Sequence, residues 1–71
     1  MSEGKKLVSC GGNGYGYSNE DGKFEVKHKG GTKKFAKLSE AISFYEGLDE
    51  ESAIWDVTSI PELLDARVYE K

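Results

Sequence analysis

The stretch KFEVKHKGGTKKFAKL, residues 23–38, reads as two β-strands around a glycine pair and decides the fold. Gly30-Gly31 is a two-residue hairpin signal. It predicts Lys29 opposite Thr32, His28 opposite Lys33, Val26 opposite Phe35 and Phe24 opposite Lys37. Upstream, NEDG at residues 19–22 is a second turn signal. Asn19 opens it, Asp21 suits its third position, and Gly22 supplies the positive φ of a bulge that closes the loop. This turn predicts Ser18 opposite Lys23, Tyr17 opposite Phe24 and Tyr15 opposite Val26. Directly opposed residues share a face, because side chains alternate along a strand. Both registers therefore put Tyr15, Tyr17, Phe24, Val26 and Phe35 on one side, with His28 near the rim of that face. Glu25, Lys27, Lys29, Thr32, Lys34 and Ala36 fall on the other. The expectation is a three-stranded antiparallel meander with one apolar and one polar face.

The next segment, LSEAISFYEGL at residues 38–48, has helical periodicity. Leu38, Ala41, Ile42, Tyr45 and Leu48 recur along one stripe, flanked by Phe44. Ser39 reads as the cap, Glu40 suits the positive end and Gly47 the stop. That stripe is expected to cover the apolar face of the sheet. AIWDVT at 53–58 is rich in β-formers and reads as a strand, with Ala53, Trp55 and Val57 on one face; a helix entered from Asp49 is the alternative. SIPE at 59–62 has the spacing of a capping box, Ser59 with Glu62, and predicts a short helix over PELLDA. RVYEK then adds a last strand or trails off. At the other end, residues 1–13 are flexible or hold an edge strand in KLVSC. The expected fold is a single small α+β domain over 1–71. In it a three-stranded meander packs on one helix in two layers, followed by a C-terminal strand and a short helix.

Composition narrows the chemistry. A chain of 71 residues has room for one core only. Its single cysteine forms no internal disulfide, and one Cys with one His falls short of the roughly four ligands of a closed zinc site. A free Cys10 fits a reducing, cytoplasmic setting. MSEGKKLVSC lacks the apolar run of a signal peptide, and no apolar stretch approaches the ~20 residues that span a bilayer. The net charge of −3 hides an asymmetry: residues 23–38 carry six lysines against Glu25, whereas residues 39–71 carry nine acids against Arg67 and Lys71. An acidic whole argues against indiscriminate nucleic-acid binding, while the local basic stretch leaves a specific contact open.

GGNGYG at 11–16 approaches the spacing of a phosphate-cradling loop, but it lacks the lysine-serine/threonine ending and precedes a hairpin where a helix is required. The plainer reading is a flexible connector, or a strand whose glycines let aromatic neighbours lie over the backbone. Cys10 and His28 are the sole nucleophile and base candidates, and nothing in the sequence brings them together. Asp49, Glu50 and Glu51 form a local acidic run without the spacing of a calcium loop or a cleft to raise one pKa. They read as a solvated loop or a helix start. The chain is therefore expected to be no enzyme, with no cofactor and no metal.

Two features remain as binding candidates. Trp55 is either a core anchor at the helix–sheet interface or an exposed contact residue, since tryptophan dominates many interface hot spots. Lys23, Lys27, Lys29, Lys33, Lys34 and Lys37 form a basic face that either stays in solvent or meets phosphates or an acidic protein.

The order strand–strand–strand–helix over residues 14–48 resembles the AP2-type DNA-binding modules, including those at the N-termini of phage integrases. That resemblance implies an open sheet face entering the major groove with the helix packed behind. Arginines and a tryptophan typically read bases there, whereas this face offers lysines, Glu25 and Thr32. GTKKFAKLSEA at 31–41 is similar to the lysine-rich start of the last helix in double-stranded-RNA-binding domains, which would bring Lys33, Lys34 and Lys37 to phosphates. The expected function is protein–protein interaction, as an accessory or inhibitor protein of the small acidic kind that phages and mobile elements encode. Nucleic-acid binding through the lysine face is the alternative, and no membrane association is expected.

Overall fold

A computed structural model describes residues 7–16 and 18–69 of the chain. Five strands and one helix follow in the order β1 (Leu7–Gly11), β2 (Asp21–His28), β3 (Gly31–Lys37), α1 (Leu38–Glu46), β4 (Ser52–Asp56) and β5 (Glu62–Tyr69). The strands form one antiparallel sheet in the order β1-β5-β4-β2-β3. α1 packs on one face, against β2, β3 and β4. The domain is thus α+β, with a sheet wider than the sequence suggests.

The β2–β3 hairpin forms, but its turn sits one residue earlier than expected. Lys29-Gly30 makes the turn, and Phe24 pairs with Phe35, Val26 with Lys33 and His28 with Gly31. The positive φ falls on Gly31, at 123°, rather than on Gly30. Each β2 residue therefore meets a β3 partner two positions from the expected one. Such a slip preserves the faces, so Phe24, Val26 and Phe35 still share the helix side. Gly22 does not adopt a positive φ. It sits instead in a bulge of β2, where the register shifts between Asp21 and Phe24. A Cβ there would overlap the Thr58 hydroxyl, so close approach, not turn geometry, requires glycine.

The expected first strand of the meander is replaced. β2 pairs on its other side with β4, through Phe24–Asp56, Val26–Ile54 and His28–Ser52 among others. Residues 14–16 and 18 are not strand, and Tyr17 lies outside the described residues. The physical reason is composition: Gly14 and Gly16 weaken a strand, whereas β4 brings β-formers and the fully buried Ile54. The arrangement on which the AP2 resemblance rests is therefore not formed. Likewise Lys33, Lys34 and Lys37 lie on β3 rather than at a helix start. The expected edge strand forms as β1, from Leu7 on, but on β5 at the far margin; residues 1–6 lie outside the described residues. The glycine segment then follows β5: the Asn13 and Gly14 N–H groups donate to the Leu63 and Leu64 carbonyls at 3.0 and 2.8 Å.

α1 carries its apolar stripe as expected. Leu38, Ala41 and Tyr45 are buried, with Ile42, Phe44 and Leu48 packed beside them. Ser39 is not the cap. Lys37 occupies that position without capping the helix through its side chain, and Ser39 instead joins Glu20, whose Oε2 accepts from its hydroxyl at 2.6 Å. A carboxylate at this end also meets the positive pole of the helix. Phe24, Val26, Ile54 and Leu64 complete the core beneath, each fully buried apolar side chain contributing about 1.5–3 kcal/mol.

The short helix expected over PELLDA is strand β5 instead. Its pairing with β4 slips between Ile54 and Trp55, which leaves Leu64 as the extra residue of a bulge. Leu64 and Asp65 consequently both reach the helix side: Leu64 is 2% exposed in the core, and Asp65 meets the Tyr45 hydroxyl. Burial of Leu64 and two ladders of backbone hydrogen bonds outweigh a capping signal made of Ser59 and Glu62. The β4 strand is confirmed over Ser52–Asp56, but Ile54 faces the core. Trp55 points away from the helix, so it is not the core anchor of the helix–sheet interface.

Candidate interaction face

The sheet has a helix-free face, and register alone lays out its residues. One row across the strands reads Lys34–Glu25–Trp55–Leu63 from β3 to β5. The next reads Thr32–Lys27–Ala53–Ala66–Gly11, and Val68 pairs with Val8 beyond it. The face is graded: charged side chains occupy β2 and β3, and small or apolar ones occupy β4, β5 and β1. Trp55 stands at the boundary, half-buried, with Lys27 Nζ 5.5 Å from its ring centroid. That distance lies within the reach of a cation–π contact. An aromatic ring with an ammonium on one flank and leucine on the other presents both apolar area and charge.

The six lysines do not share one face. Lys27 and Lys34 belong to the helix-free side, while Lys33 pairs with the core residue Val26 and so falls on the helix side. Lys23 lies at the β2 bulge, where its N–H donates to Thr58 Oγ1 at 2.9 Å. Lys29 is in the turn, and its N–H donates to Glu50 Oε2 at 2.8 Å. Lys37 forms an ion pair with Asp21, and the hydrogen bond within that pair raises the lysine pKa. Phosphate contacts on the helix-free face would fall to Lys27 and Lys34, with Glu25 between them.

Cys10 and His28 lie on strands three spacings apart, about 14 Å. His28 lies on the helix side, as the sequence suggests, edge-on to Phe44 at 5.4 Å. Its Nδ1 is 3.0 Å from Glu50 Oε2 and 3.2 Å from the Gly30 N–H. The bond to His28, followed by that from the Lys29 N–H, lowers the Glu50 pKa. The acidic run is thus part of the scaffold: Glu51 accepts from the Tyr69 N–H at 3.0 Å, and the Asp49 carbonyl accepts from the Tyr69 hydroxyl at 2.7 Å. Among the described residues no cluster of three or more His, Cys, Asp or Glu is placed to hold a metal ion. No helix among them is long and apolar enough to cross a membrane.

Sequence reasoning missed a polar cluster on the helix side. Asp65 accepts from the Ser9 hydroxyl at 2.7 Å and from the Tyr45 hydroxyl at 2.9 Å, and the Arg67 guanidinium lies 4.7 Å from the Tyr45 ring centroid. Burial, then the charges of Asp65 and Glu46, push the Tyr15 pKa up to about 12. Burial and the bond to Asp65 raise that of Tyr45 as well. No local signal announces this group, because Ser9 and Asp65 are 56 positions apart in sequence.

No family model matches the chain, and neither the curated proteins nor the solved structures contain a significant match to it.

Proposed function

We propose that the chain is a non-enzymatic binding module that docks a partner protein on the helix-free face of its sheet, with Trp55 as anchor. The observation that carries this reading is the graded face: Trp55 and Leu63 side by side, with Lys27 and Lys34 along one margin. The partner that fits has an apolar centre flanked on one side by carboxylates. Apolar contact then provides affinity, and charge complementarity sets association rate and choice of partner. An accessory or inhibitor protein of the cytoplasm acts in this way without a catalytic site, and the exposed free Cys10 fits a reducing compartment.

Trp55 is the only tryptophan, so its fluorescence reports directly on the face. The test is capture of partners from source cells, followed by titration of the purified partner against the chain. Trp55→Ala combined with Leu63→Ala should weaken binding roughly thirtyfold or more, as hot-spot losses do. Unchanged affinity in a variant that retains its circular dichroism spectrum refutes the reading.

Lysine beside tryptophan also favours a second reading, single-stranded nucleic acid stacked on Trp55 with phosphates on Lys27 and Lys34. Binding of that kind must weaken steeply with salt. The triple variant Lys27→Ala, Lys29→Ala, Lys34→Ala should flatten the salt slope. Equal binding by the triple variant and the parent eliminates it.

A further inference from the structure

β3 lies at one margin of the sheet with β2 as its only neighbour, so the outer edge of Gly31–Lys37 faces no strand among the described residues. The edge is seven residues long, contains no proline, and has no bulge of its own, because the extra residue of the β2–β3 ladder belongs to β2. Such an edge is a template for one more strand. Its side chains decide which strand that is. β3 carries Lys33, Lys34 and Lys37 and no acid. Two copies of β3 would set lysines against lysines, and opposed like charges are destabilising. The edge is therefore guarded against its own kind and open to a strand of opposite sign. A strand added to β3 would find positive charge on both faces of the sheet, Lys33 on the helix side and Lys34 on the other.

We infer that the outer edge of β3 docks an acidic, extended segment of a partner protein, which joins the sheet as a sixth strand. Backbone hydrogen bonds supply affinity, and alternating side chains supply selectivity. Carboxylates on one side of the segment meet Lys34 and on the other Lys33. This edge is distinct from the Trp55 face, since β3 is two positions from β4, and the two share Lys34.

The experiment is an amide-exchange and chemical-shift titration of the isotope-labelled chain with three probes. They are a synthetic peptide alternating glutamate with valine and threonine, the same peptide N-methylated at alternate backbone amides, and oligothymidylate. The unmethylated peptide should slow exchange at alternate amides of residues 32–36 by roughly tenfold or more, the mark of newly paired edge groups. The N-methylated peptide, equal in charge, should give no such protection. Lys33→Glu with Lys34→Glu should weaken the unmethylated peptide at least about tenfold, while Trp55→Ala should leave its effect in place. Equal binding by the N-methylated peptide, protection of the same amides by oligothymidylate, absence of protection on β3, or its loss in Trp55→Ala would each overturn the inference.

Discussion

The Tyr45 hydroxyl donates a 2.9 Å hydrogen bond to Oδ2 of Asp65, tying the last turn of α1 to a strand 20 residues further along the chain. α1 lies over β2, β3 and β4, and this bond extends its hold to β5. Tyr45→Phe removes the donor but keeps the ring packed under Arg67, and Asp65 retains the Ser9 hydroxyl. The expected loss is about 1–2 kcal/mol in urea unfolding. Tyr45→Ala, which empties a fully buried site, should cost about 3–5 kcal/mol.

Alkaline pH acts on the same cluster. Burial and nearby acids raise Tyr15 from 10.0 to about 12, so the unfolded chain releases this proton before the folded one does. The stability it contributes is complete below pH 10.0 and is lost as pH rises through about 12. Urea midpoints measured across this window should fall, and Tyr15→Phe should fall less steeply. Tyr45, also raised, accounts for part of the slope that remains.

At the acid end two lowered carboxylates act in the opposite sense. Glu50 is held below 4.5 by His28 and Lys29. Burial opposes ionisation of Asp56, but the Thr58 hydroxyl and N–H and the Ser18 hydroxyl outweigh it and bring it below 3.8. Both contributions are present above those ordinary values and vanish as pH falls through the folded ones. Glu50→Gln should flatten the acid limb of a pH–stability curve, and Asp56→Asn added to it should flatten it further.

Two glycines of one segment should respond differently to alanine. Gly12 has φ 104°, and a Cβ there would overlap the backbone carbonyl of Leu64, which cannot swing away. Gly14 has φ 80° with open space around it. Gly12→Ala should therefore cost more than Gly14→Ala: about 3 kcal/mol or more, against about 1–2 kcal/mol from backbone strain alone. Thermal unfolding of the two variants makes the comparison.

Ile54 and Trp55 test which face of β4 is the core. Ile54 is fully buried, and Ile54→Ala should cost about 2–5 kcal/mol. Trp55 lies half-buried on the helix-free side, so Trp55→Ala should cost less than the isoleucine variant despite the larger side chain. The reverse order in chemical denaturation would put the tryptophan in the core.

The sequence by itself determined the parts whose signals are local. Alternation in KFEVKHK and TKKFAK specified the hairpin and its faces, because a register slip of two leaves parity untouched. The stripe from Leu38 to Leu48 specified the helix and its buried side. On the candidate face, alternation put Lys27 and Lys34 beside Glu25 and Thr32, but left Trp55 open between a core anchor and an exposed contact residue. Tertiary structure decided which strand lies beside β2. Residues 14–18 and β4 compete for that edge, and β4 wins because Ile54 seals the core against Val26 while Gly14 and Gly16 have no side chain to bury. It also turned PELLDA from helix to strand: β4 and β1 supply pairing on both sides of it, whereas its capping signal acts on one turn only. Trp55 followed from that choice. Once Ile54 faces the helix, the pleat sends its neighbour to the opposite side, next to Leu63. Local preference acts over a turn or a strand; the partner of a strand depends on side chains dozens of positions away.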